Sequence, residues 1–465
     1  MKAHYSAGIC AVVSLWLCFP DLSLGQSQAE QARRQLGLVG DGIADDSVAL
    51  QRLIATGGDV HLPAGTYRIT RSLVVDLDQS GWTTLRANGV ATLQMAAAGP
   101  AIKVQGTHFK SADPEGYEDR VWQQQRMPLI DSLAILGAHP DADGIHAVGT
   151  MQLTITRVHI RNCRHAIHLA ENNRNVIISD SHLYENRGVG IFYDKVNLHQ
   201  SNITGSHISY NGGGGIVSLG GNVRNIHITG CDIESNMSSD SPPTANVLID
   251  CRESTYGTAE VAITGCTIQH NHTAFESANI RVIGSSLPVQ RPATDEVPAR
   301  AERVREGNIT ITGNVLSDVV DNIHLQNCRG VTLTGNTLWM GYRHNLLIEQ
   351  CSHIVIGPNN LDRNPRYDYG DTADANNSVV IRDSEDCTIT GLHISNVWRS
   401  EAGMVVRRCR RMNISNCTIL DCGPVGLLLD ELQLSRVSNC LVRDDRPGAD
   451  SQAVKTVGGE GNQID

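Results

Sequence analysis

Short stretches of alternating apolar and polar residues recur along the chain. In the segment NVLID, the alternation predicts that Val247 and Ile249 point into a core. The residues beside them, Asn246, Leu248 and Asp250, are then predicted to point outward. A period of two over so few residues indicates short strands and not helices.

Each of these stretches follows two strands joined by a two-residue corner, as in VIISDSHLYEN from Val176 and IHITGCDIESN from Ile226. Eleven such third strands start 22 to 43 residues apart, between Gly144 and Gly426. Three short strands per repeat are typical of a stacked solenoid, because no single coil buries its own apolar face. The leucine-rich pattern is absent, and the apolar period excludes helical repeats. The sequence therefore predicts an all-β, single-domain, right-handed parallel β-helix of about 12 coils.

The first 25 residues are predicted to be a signal peptide, with Lys2, an apolar run over residues 7–19 and the small residues Ser23 and Gly25. The run is shorter than the roughly 20 residues of a membrane-spanning helix, so membrane insertion is not expected. Residues 26–465 are predicted to form the β-helix domain, and the protein is expected to be secreted or periplasmic.

The segment DDSVALQRLIATGG is predicted to be an N-terminal capping helix at about residues 45–58. Asp45 or Asp46 would start this helix, and Gly57 with Gly58 would end it. A capped solenoid needs no partner subunit to cover its core, so a monomer is expected.

Composition and charge narrow the class of partner. Aromatic residues make up only 4% of the chain and glycines number 44, which favours thin β layers with many tight turns. The formal net charge of −11 argues against a nucleic-acid partner. Sugars need not be charged and stay open as ligands.

The cysteines recur at equivalent positions of different repeats. Of the thirteen, Cys10 and Cys18 lie in the predicted signal peptide, and an odd number remains. The recurring positions are the corner, with Cys231, Cys266 and Cys417, and the end of the third strand, with Cys328, Cys351 and Cys409. Such columns predict inert core thiols and not metal ligands, although strands about 4.8 Å apart would permit a disulfide.

Two consecutive segments resemble a known family. GLVGDGIADDSVALQRLI at residues 37–54, followed by GGDVHLPAGTYRI at residues 57–69, resembles the opening signature of the pectate lyase superfamily, in its rhamnogalacturonase and epimerase-like branch. The resemblance implies a right-handed parallel β-helix and, in many members, cleavage or epimerisation of acidic polysaccharides. Phage tailspikes and non-catalytic surface proteins share the opening, so function has to be argued from a site.

Alternation in the third strands assigns one outward position to each coil. These positions are Lys103, His146, His168, Phe192, Val217, Leu248, Arg281, His324, Leu347, Val380, Val405 and Leu428. Groups suited to proton transfer occur at two places. The first-choice catalytic site is Lys103, His146 and His168, with Asp143 predicted to orient His146. The second choice is Arg281 with His324, flanked by Asp321 and His344.

The segment DADGIHAVG, at residues 141–149, can be compared with the carboxylate pattern of a hydrolase. Polygalacturonases, which this branch resembles, carry an Asp-Gly carboxylate followed one coil later by an Asp pair. Asp143 matches the first carboxylate, but Arg164 and His165 stand where the pair would be. The next outward carboxylate, Asp194, is on the order of 19 Å from Asp143 by strand rise and spacing. Glycosidases need their two carboxyl groups roughly 5 to 9.5 Å apart.

Two other carboxylates on the strands are also predicted to lie too far apart for a catalytic pair. Asp250 and Glu349 share a column but lie three coils apart, about 14 Å by strand spacing. A pair of catalytic carboxylates on the strands is therefore not expected. A hydrolase would need a loop carboxylate, from Asp113, Glu118 or Asp368.

Cationic and imidazole groups on adjacent coils suit proton abstraction beside a uronate carboxylate, because a cation stabilises the enediolate and a base removes the proton. The sequence therefore predicts a polysaccharide lyase that cleaves a uronate-containing, acidic glycan by β-elimination, with a C5 epimerase as an alternative. Two other classes stay open: a polygalacturonase-like glycoside hydrolase with loop carboxylates, and a non-catalytic glycan-binding or surface β-helix protein.

Insertions at residues 106–128, 284–308 and 362–377 are predicted to rise beside the outward column and to contact the glycan. The predicted substrate-binding residues are Tyr117, Trp122, Phe192, Asp194, Asp250, Glu349, Tyr367 and Tyr369. No cofactor is assigned. Ca²⁺ would need a compact acidic loop, and the sequence offers only Asp371 and Asp374 near Asp368, so the metal stays undetermined.

Overall fold

The computed structural model describes residues 22–111, 113, 116–285, 289–291, 300–302 and 306–465. Residues 1–21 of the predicted signal peptide lie outside the described residues, as does part of the insertion at 284–308. Within the described residues, no helix is both long enough and apolar enough to cross a membrane.

Forty strands pair in one continuous sheet that winds around a common axis in three faces. Each strand pairs in parallel with the equivalent strand of the next coil, as Ile145 does with Ile167 and Ile167 with Ile191. The predicted all-β parallel β-helix is therefore confirmed.

The three faces are named in the order in which each coil visits them. The first face contains Gly58–His61, Thr83–Arg86, Leu129–Asp131, Thr154–Thr156, Asn222–Thr229, Ala259–Thr264, Gly307–Thr312, Arg329–Thr334, Val355–Ile356, Thr388–Thr390, Asn413–Ser415, Arg436–Ser438 and Gln463–Ile464. The second face contains Asp41–Asp45, Gly65–Ile69, Ala91–Met95, Ala134–Gly137, His159–Arg161, His182–Tyr184, His207–Ser209, Asp232–Glu234, Thr267–Gln269, Asn360–Asp362, His393–Ser395, Thr418–Leu420 and Leu441–Arg443.

The third face carries the predicted outward column. It contains Leu73–Asp76, Gly99–Gln105, Ala142–Met151, Gly214–Leu219, Ala245–Asp250, Ala278–Ile283, Ser378–Arg382, Met404–Arg407, Val425–Asp430 and Gln452–Val457. Four longer strands bend around a corner and belong to two faces: Ile167–Ser179, Val189–Thr204, Val315–Gln326 and Thr337–Glu349. Separately, Val289–Arg291 and Arg300–Glu302 form an antiparallel pair within an insertion.

Helical segments are few and short. The α-helices are Leu22–Gln35, Ser47–Ile54 and Leu77–Ser80; a π-helical turn spans Val121–Gln125, and 3-10 turns span Pro365–Tyr367 and Thr372–Asp374. The helix Leu22–Gln35 was not predicted, and it begins inside the predicted signal peptide.

The predicted capping helix is Ser47–Ile54. Asp46 occupies its N-cap position, but the Asp46 carboxylate accepts hydrogen bonds from the backbone N–H groups of Val39 and Gly40. Asp45 instead accepts a 3.0 Å hydrogen bond from the Ser47 N–H. The Asp46 carboxylate therefore anchors the segment before the helix. The Asp45 carboxylate accepts a hydrogen bond from an N–H group in the first turn of the helix.

The core is a set of aliphatic columns that run along the solenoid axis. One column on the third face stays in register over nine coils, and each side chain is at most 3% exposed. Its members are Ile145, Ile167, Ile191, Ile216, Val247, Ile280, Ile323, Leu346 and Val379. Because similar side chains repeat every coil, each layer packs on an almost identical one.

A ladder of buried asparagines connects the coils at the corner between the second and third faces. Each member is at most 1% exposed; they are Asn186, Asn211, Asn236, Asn246, Asn279, Asn322 and Asn345. Side-chain amides bond from one coil to the next, at 2.8 Å from Asn186 Nδ2 to Asn211 Oδ1 and 2.7 Å from Asn211 Nδ2 to Asn236 Oδ1. The outward position predicted for Asn246 is therefore wrong, because its amide is recruited into this ladder.

The corner between the first and second faces uses smaller residues. Gly205, Gly230 and Gly265 have φ values of 54°, 60° and 64°, a left-handed conformation that glycine adopts without a Cβ penalty. Beside it, the Cys231 N–H donates to the Cys266 sulfur at 3.5 Å and the Cys266 N–H donates to Asn314 Oδ1. All eleven described cysteines are free thiols.

We predict that Asn211→Ala lowers the free energy of unfolding by about 3 kcal/mol, because it leaves buried donors and acceptors on neighbouring coils without partners. Asn211 makes side-chain hydrogen bonds to the Leu183 carbonyl, to Asn186 and to Asn236. Denaturant unfolding measures the change. Asn202→Ala, at an exposed position of the same coil, is the control and should change the free energy by less than about 0.5 kcal/mol. Equal losses in both variants would contradict a structural role for the ladder.

Candidate functional site

Strand pairing places all twelve predicted outward positions in a single column. Lys103 is in register with His146, His146 with His168, and so on through every coil to Leu428. Pairing extends the column by Val74 at one end and Lys455 at the other.

A groove of about 610 Å³ lies over the third face between Asp194 and Asp250. Its floor includes Val217 and Leu248, which are 2% and 7% exposed and belong to a small apolar cluster outside the main core. The remaining lining residues are Val189, Lys195, Gly213, Leu219, Gly220, Pro242, Pro243, Thr244, Arg252 and Glu253. The middle of the outward column is thus the bottom of a groove and not an open surface.

Two carboxylates of this groove share one column of the third face. Asp194 is in register with Leu219, and Leu219 with Asp250, so the carboxylates lie two coils apart. Two strand spacings separate their backbones by about 9.6 Å. The sequence-based comparison of carboxylates overlooked this pair, whose backbone separation is close to the roughly 9.5 Å limit for glycosidase carboxyl groups. The signal was present in the sequence, since GIFYD and NVLID both end in Asp two repeats apart.

The two carboxylates have different surroundings. The Asp250 side chain is 11% exposed and accepts hydrogen bonds from the Arg252 guanidinium, at 2.9 Å from Nε. The Asp194 side chain is 39% exposed and lies 3.1 Å from Nε2 of His168. Opposite ends of one groove therefore carry a tightly paired carboxylate and an accessible one.

Next to Asp194, three rings of the outward column stack along the axis. The His146 and His168 rings are 4.7 Å apart, and the His168 and Phe192 rings are 5.2 Å apart. Nε2 of His146 is buried and has no hydrogen-bond partner among the described residues. Burial, with the charges of His168 and Lys103, lowers the pKa of His146 to about 4. His146 is therefore neutral at neutral pH, and its buried Nε2 is closed to substrate.

Asp143 does not orient His146, contrary to the sequence-based expectation. It accepts two hydrogen bonds from the Arg164 guanidinium, at 2.9 and 2.6 Å, and one from the His165 N–H at 3.1 Å. Burial opposes ionisation of Asp143, but these bonds lower its pKa below the usual value. The Asp-Gly segment is a buried salt-bridge corner, because Arg164 uses both carboxylate oxygens.

The second-choice residues do come together. His344 Nδ1 lies 2.8 Å from Asp321 Oδ1, and Arg281 Nη2 lies 3.5 Å from Asp321 Oδ2. Arg281 Nε donates to His324 Nδ1 at 3.3 Å, and His324 Nε2 lies 2.9 Å from Glu349. These four residues and Glu349 therefore form one connected network.

Sequence reasoning missed Arg343, which completes this network. Arg343 donates to Glu276 and to Asp321 at 2.7 Å. Asp321 is fully buried, and although burial opposes its ionisation, hydrogen bonds from His344 and Arg343 hold its pKa far below the usual range. Hydrogen bonding with His324, against the effect of burial, lowers the pKa of Glu349 to about 2. Glu349 belongs to this ion network and does not line the groove.

The predicted aromatic contacts are divided among different places. Tyr117 stacks on His108 at 5.3 Å and carries the Arg174 guanidinium 4.8 Å from its ring centre, so the protein itself occupies its ring. Trp122 is 46% exposed and Tyr369 is 63% exposed, but neither lines the groove. Tyr367 lies 5.3 Å from the ring of Trp339, in a separate cleft.

The acidic residues considered for Ca²⁺ have other partners. Asp371 lies 2.9 Å from His272 and accepts a hydrogen bond from the Tyr342 hydroxyl. Asp374 pairs with Arg399 at 3.1 Å. Across the part of the chain that the structure describes, no group of three or more His, Cys, Asp or Glu side chains is placed to hold a metal ion.

Two family models match adjoining parts of the chain. A model described as "Right handed beta helix region" matches residues 122–268, and one described as "Periplasmic copper-binding protein (NosD)" matches residues 259–443. No curated protein matches the sequence significantly. Together with the strand register, these matches define the class: the chain is a right-handed parallel β-helix protein.

Solved structures with TM-scores of at least 0.50 agree with this fold. A tailspike protein mutant of E. coli bacteriophage HK620, in complex with a hexasaccharide, has 12% identity and a TM-score of 0.51, with 92% of this chain and 77% of that chain covered. The pre-mature bacteriophage phi29 gene product 12 has 14% identity and a TM-score of 0.50, with 95% and 57% covered. The A-module of the Azotobacter vinelandii mannuronan C-5 epimerase AlgE4 has 14% identity and a TM-score of 0.40, with 93% and 99% covered. The chain therefore spans little more than half of the phi29 protein.

The copper in the name of the second family model finds no matching site. Copper prefers thiolate, thioether and imidazole ligands. Ten of the eleven described cysteines are buried. Four of the six histidines in the matched region, His270, His272, His324 and His344, each lie within hydrogen-bond distance of a carboxylate. The other two, His353 and His393, belong to no metal-binding group among the described residues. The described residues therefore do not fit a copper site.

We predict that stability falls as the pH is lowered from 6.5 towards 4, in part because His146 must protonate. Its pKa is about 4 in the folded protein, whereas an ordinary histidine has a pKa of about 6.5, so the unfolded chain binds a proton that the folded protein does not bind in this window. Denaturant midpoints measured across this range should depend less on pH in His146→Phe than in the wild type. His139→Phe, at a partly exposed corner, is the control. An unchanged pH dependence in His146→Phe would contradict the assignment.

Proposed function

We propose that this protein is an exported glycan-cleaving enzyme whose groove hydrolyses a glycosidic bond between Asp194 and Asp250. The observation that carries the proposal is the placement of two carboxylates in one groove, two coils apart. A backbone separation of about 9.6 Å from strand spacing lies at the upper edge of the roughly 6.5 to 9.5 Å between the carboxyl groups of inverting glycosidases. The Asp194 carboxylate lies towards His168 on the preceding coil, so it would have to turn towards Asp250 for the two carboxyl groups to come within that range.

The charges of the groove favour a neutral glycan over the acidic one expected from the sequence. Three carboxylates, Asp194, Asp250 and Glu253, face two cations, Lys195 and Arg252. Lys195 already pairs with Glu253 at 2.9 Å, and Arg252 pairs with Asp250. A uronate polymer would therefore add negative charge to a groove whose two described lining cations already pair with carboxylates, whereas a neutral sugar would pack on Val217 and Leu248.

The surroundings of the carboxylates suggest how the roles are divided. Asp250, fixed by Arg252, is suited to activate a water molecule as general base. Asp194 lies 3.1 Å from His168, and a protonated His168 would supply the proton that Asp194 passes to the leaving oxygen. A water between the two carboxylates would attack from the opposite side of the sugar, which leads to inversion.

A second candidate is the polysaccharide lyase expected from the sequence and from the resemblance to the pectate lyase superfamily. One observation favours it: His168 borders the groove and lies 3.1 Å from Asp194, which suits a general base. His168 would remove the proton next to a uronate carboxylate, and Lys195 or Lys103 would stabilise the enediolate. His146 is not suited to be the base, because its Nε2 is buried.

We predict that Asp194→Asn and Asp250→Asn each reduce hydrolysis by about 10²- to 10⁴-fold, because each removes a proton-transfer group. The assay measures new reducing ends released from a panel of neutral and acidic polysaccharides. Asp232→Asn, which changes an exposed carboxylate on the second face, is the matched control and should keep full activity. Full activity in Asp250→Asn would contradict the hydrolase mechanism.

We predict that His168→Gln separates the two candidates. For a hydrolase it should reduce reducing-end formation less than Asp250→Asn does, since His168 supports Asp194 without replacing it. For a lyase it should abolish unsaturated uronate products, which are measured by ultraviolet absorbance. Solvent deuterium incorporation without chain cleavage would indicate an epimerase, and glycan binding without any turnover would indicate a binding protein.

A further inference from the structure

A second cleft lies at the corner between the second and third faces, away from the groove. It has a volume of about 80 Å³, and Trp339, Tyr367 and Trp398 contribute aromatic rings to its lining. Three coils separate the groove residue Leu248 from Leu347, on the strand that carries Trp339, which is about 14 Å along the axis. The cleft and the groove are therefore separate sites.

The loop that forms one wall of the cleft is held in place by several coils. Arg363 donates to the backbone carbonyls of Thr372 and Ala375, at 2.8 and 2.9 Å. The Tyr342 hydroxyl donates to Asp371, and Arg399 donates to the Ala373 carbonyl. A surface loop tied at this many points is pre-organised, so ligand binding would not have to pay the entropy of ordering it.

Two tryptophans, Trp339 and Trp398, line the cleft. The Trp339 indole N–H is buried and has no hydrogen-bond partner among the described residues. Trp398 is 44% exposed, and its indole N–H donates to the Asp421 carbonyl at 2.9 Å, which fixes the ring. The protein encloses the Trp339 N–H, so Trp339 offers a ligand its ring and not its donor.

Polar residues at the rim are mostly uncharged. Asn364, Asn377 and Asn396 line the cleft together with one cation, Arg363, and one carboxylate, Asp368. The Arg363 guanidinium is occupied by loop carbonyls and lies 5.0 Å from the Trp398 ring, so it offers no open anion site. Aromatic faces and amides together match an uncharged ring with several hydroxyl groups.

We propose that this cleft binds one pyranose unit of a neutral glycan, as a binding site separate from the groove. The sugar ring packs against Trp339 and Tyr367, and its hydroxyls hydrogen-bond to the amides of Asn364 and Asn396. This inference does not depend on the chemistry of the groove, because no cleft residue lines the groove.

The test uses the methyl glycosides of glucose, galactose and mannose as ligands, with saturation-transfer NMR as the readout. The full chain and Asp250→Asn should bind at least one of these sugars equally well. Tyr367→Ala, at a half-buried loop position, should weaken binding by about tenfold or more, and Trp339→Phe should weaken it several-fold by reducing the aromatic surface. Circular dichroism verifies that both variants are folded.

Trp122→Ala is the control, because Trp122 lies outside the cleft. Like the cleft residue Trp398, it is an exposed tryptophan with an arginine beside its ring. It should leave sugar binding unchanged. The inference is wrong if no sugar binds, if Tyr367→Ala and Trp339→Phe bind like the wild type, or if Trp122→Ala loses binding to the same extent. Loss of binding in Asp250→Asn alone would assign the sugar to the groove and also overturn the inference.

Discussion

The structure depends on hydrogen bonding between equivalent residues of successive coils. Backbone groups pair along all three faces, and at one corner the asparagine ladder repeats the same pairing with side-chain amides in the core. A shift of one residue in any coil would turn every side chain of that strand to the other side of the sheet. Because a buried amide without its partner is costly, the ladder favours one register over its neighbours.

Register is also what creates the groove. Asp194 and Asp250 lie 56 positions apart in the sequence and belong to different repeats. They share a column because strand pairing keeps the same register through the coil between them. The apolar side chains of Val217 and Leu248 form the floor of the groove, and Pro242 and Pro243 contribute to its lining. A rigid scaffold therefore sets the spacing of two carboxylates that no local sequence motif joins.

Burial divides the ionisable residues of the third face into different roles. His146 stays neutral beneath its neighbours, whereas Asp321 stays ionised because Arg343 and His344 surround it. The protein supplies hydrogen-bond partners to Asp321 and encloses Nε2 of His146. Asp194, which lines the groove, remains accessible to a ligand. Accessibility, more than residue type, separates the groove from the inner ion network.

The repeat itself was readable from the sequence, because a period of two and a recurring corner leave few alternatives to a stacked β-solenoid. The same alternation predicted the complete outward column from Lys103 to Leu428, and strand pairing confirmed it. It also brought Arg281, His324, Asp321 and His344 together, since they belong to neighbouring repeats. These features follow from local pattern alone.

Other features were decided by the tertiary structure. Asp143 was assigned to His146, but Arg164 is nearer and provides two donors. Asn246 was placed outside, but a neighbouring amide on each side draws it into the ladder. The groove and the aromatic cleft depend on how loops fold over particular coils, and alternation carries no information about that. The sequence by itself determined which residues share a face, whereas only the packing of loops and competing partners decided which of them stay open to a ligand.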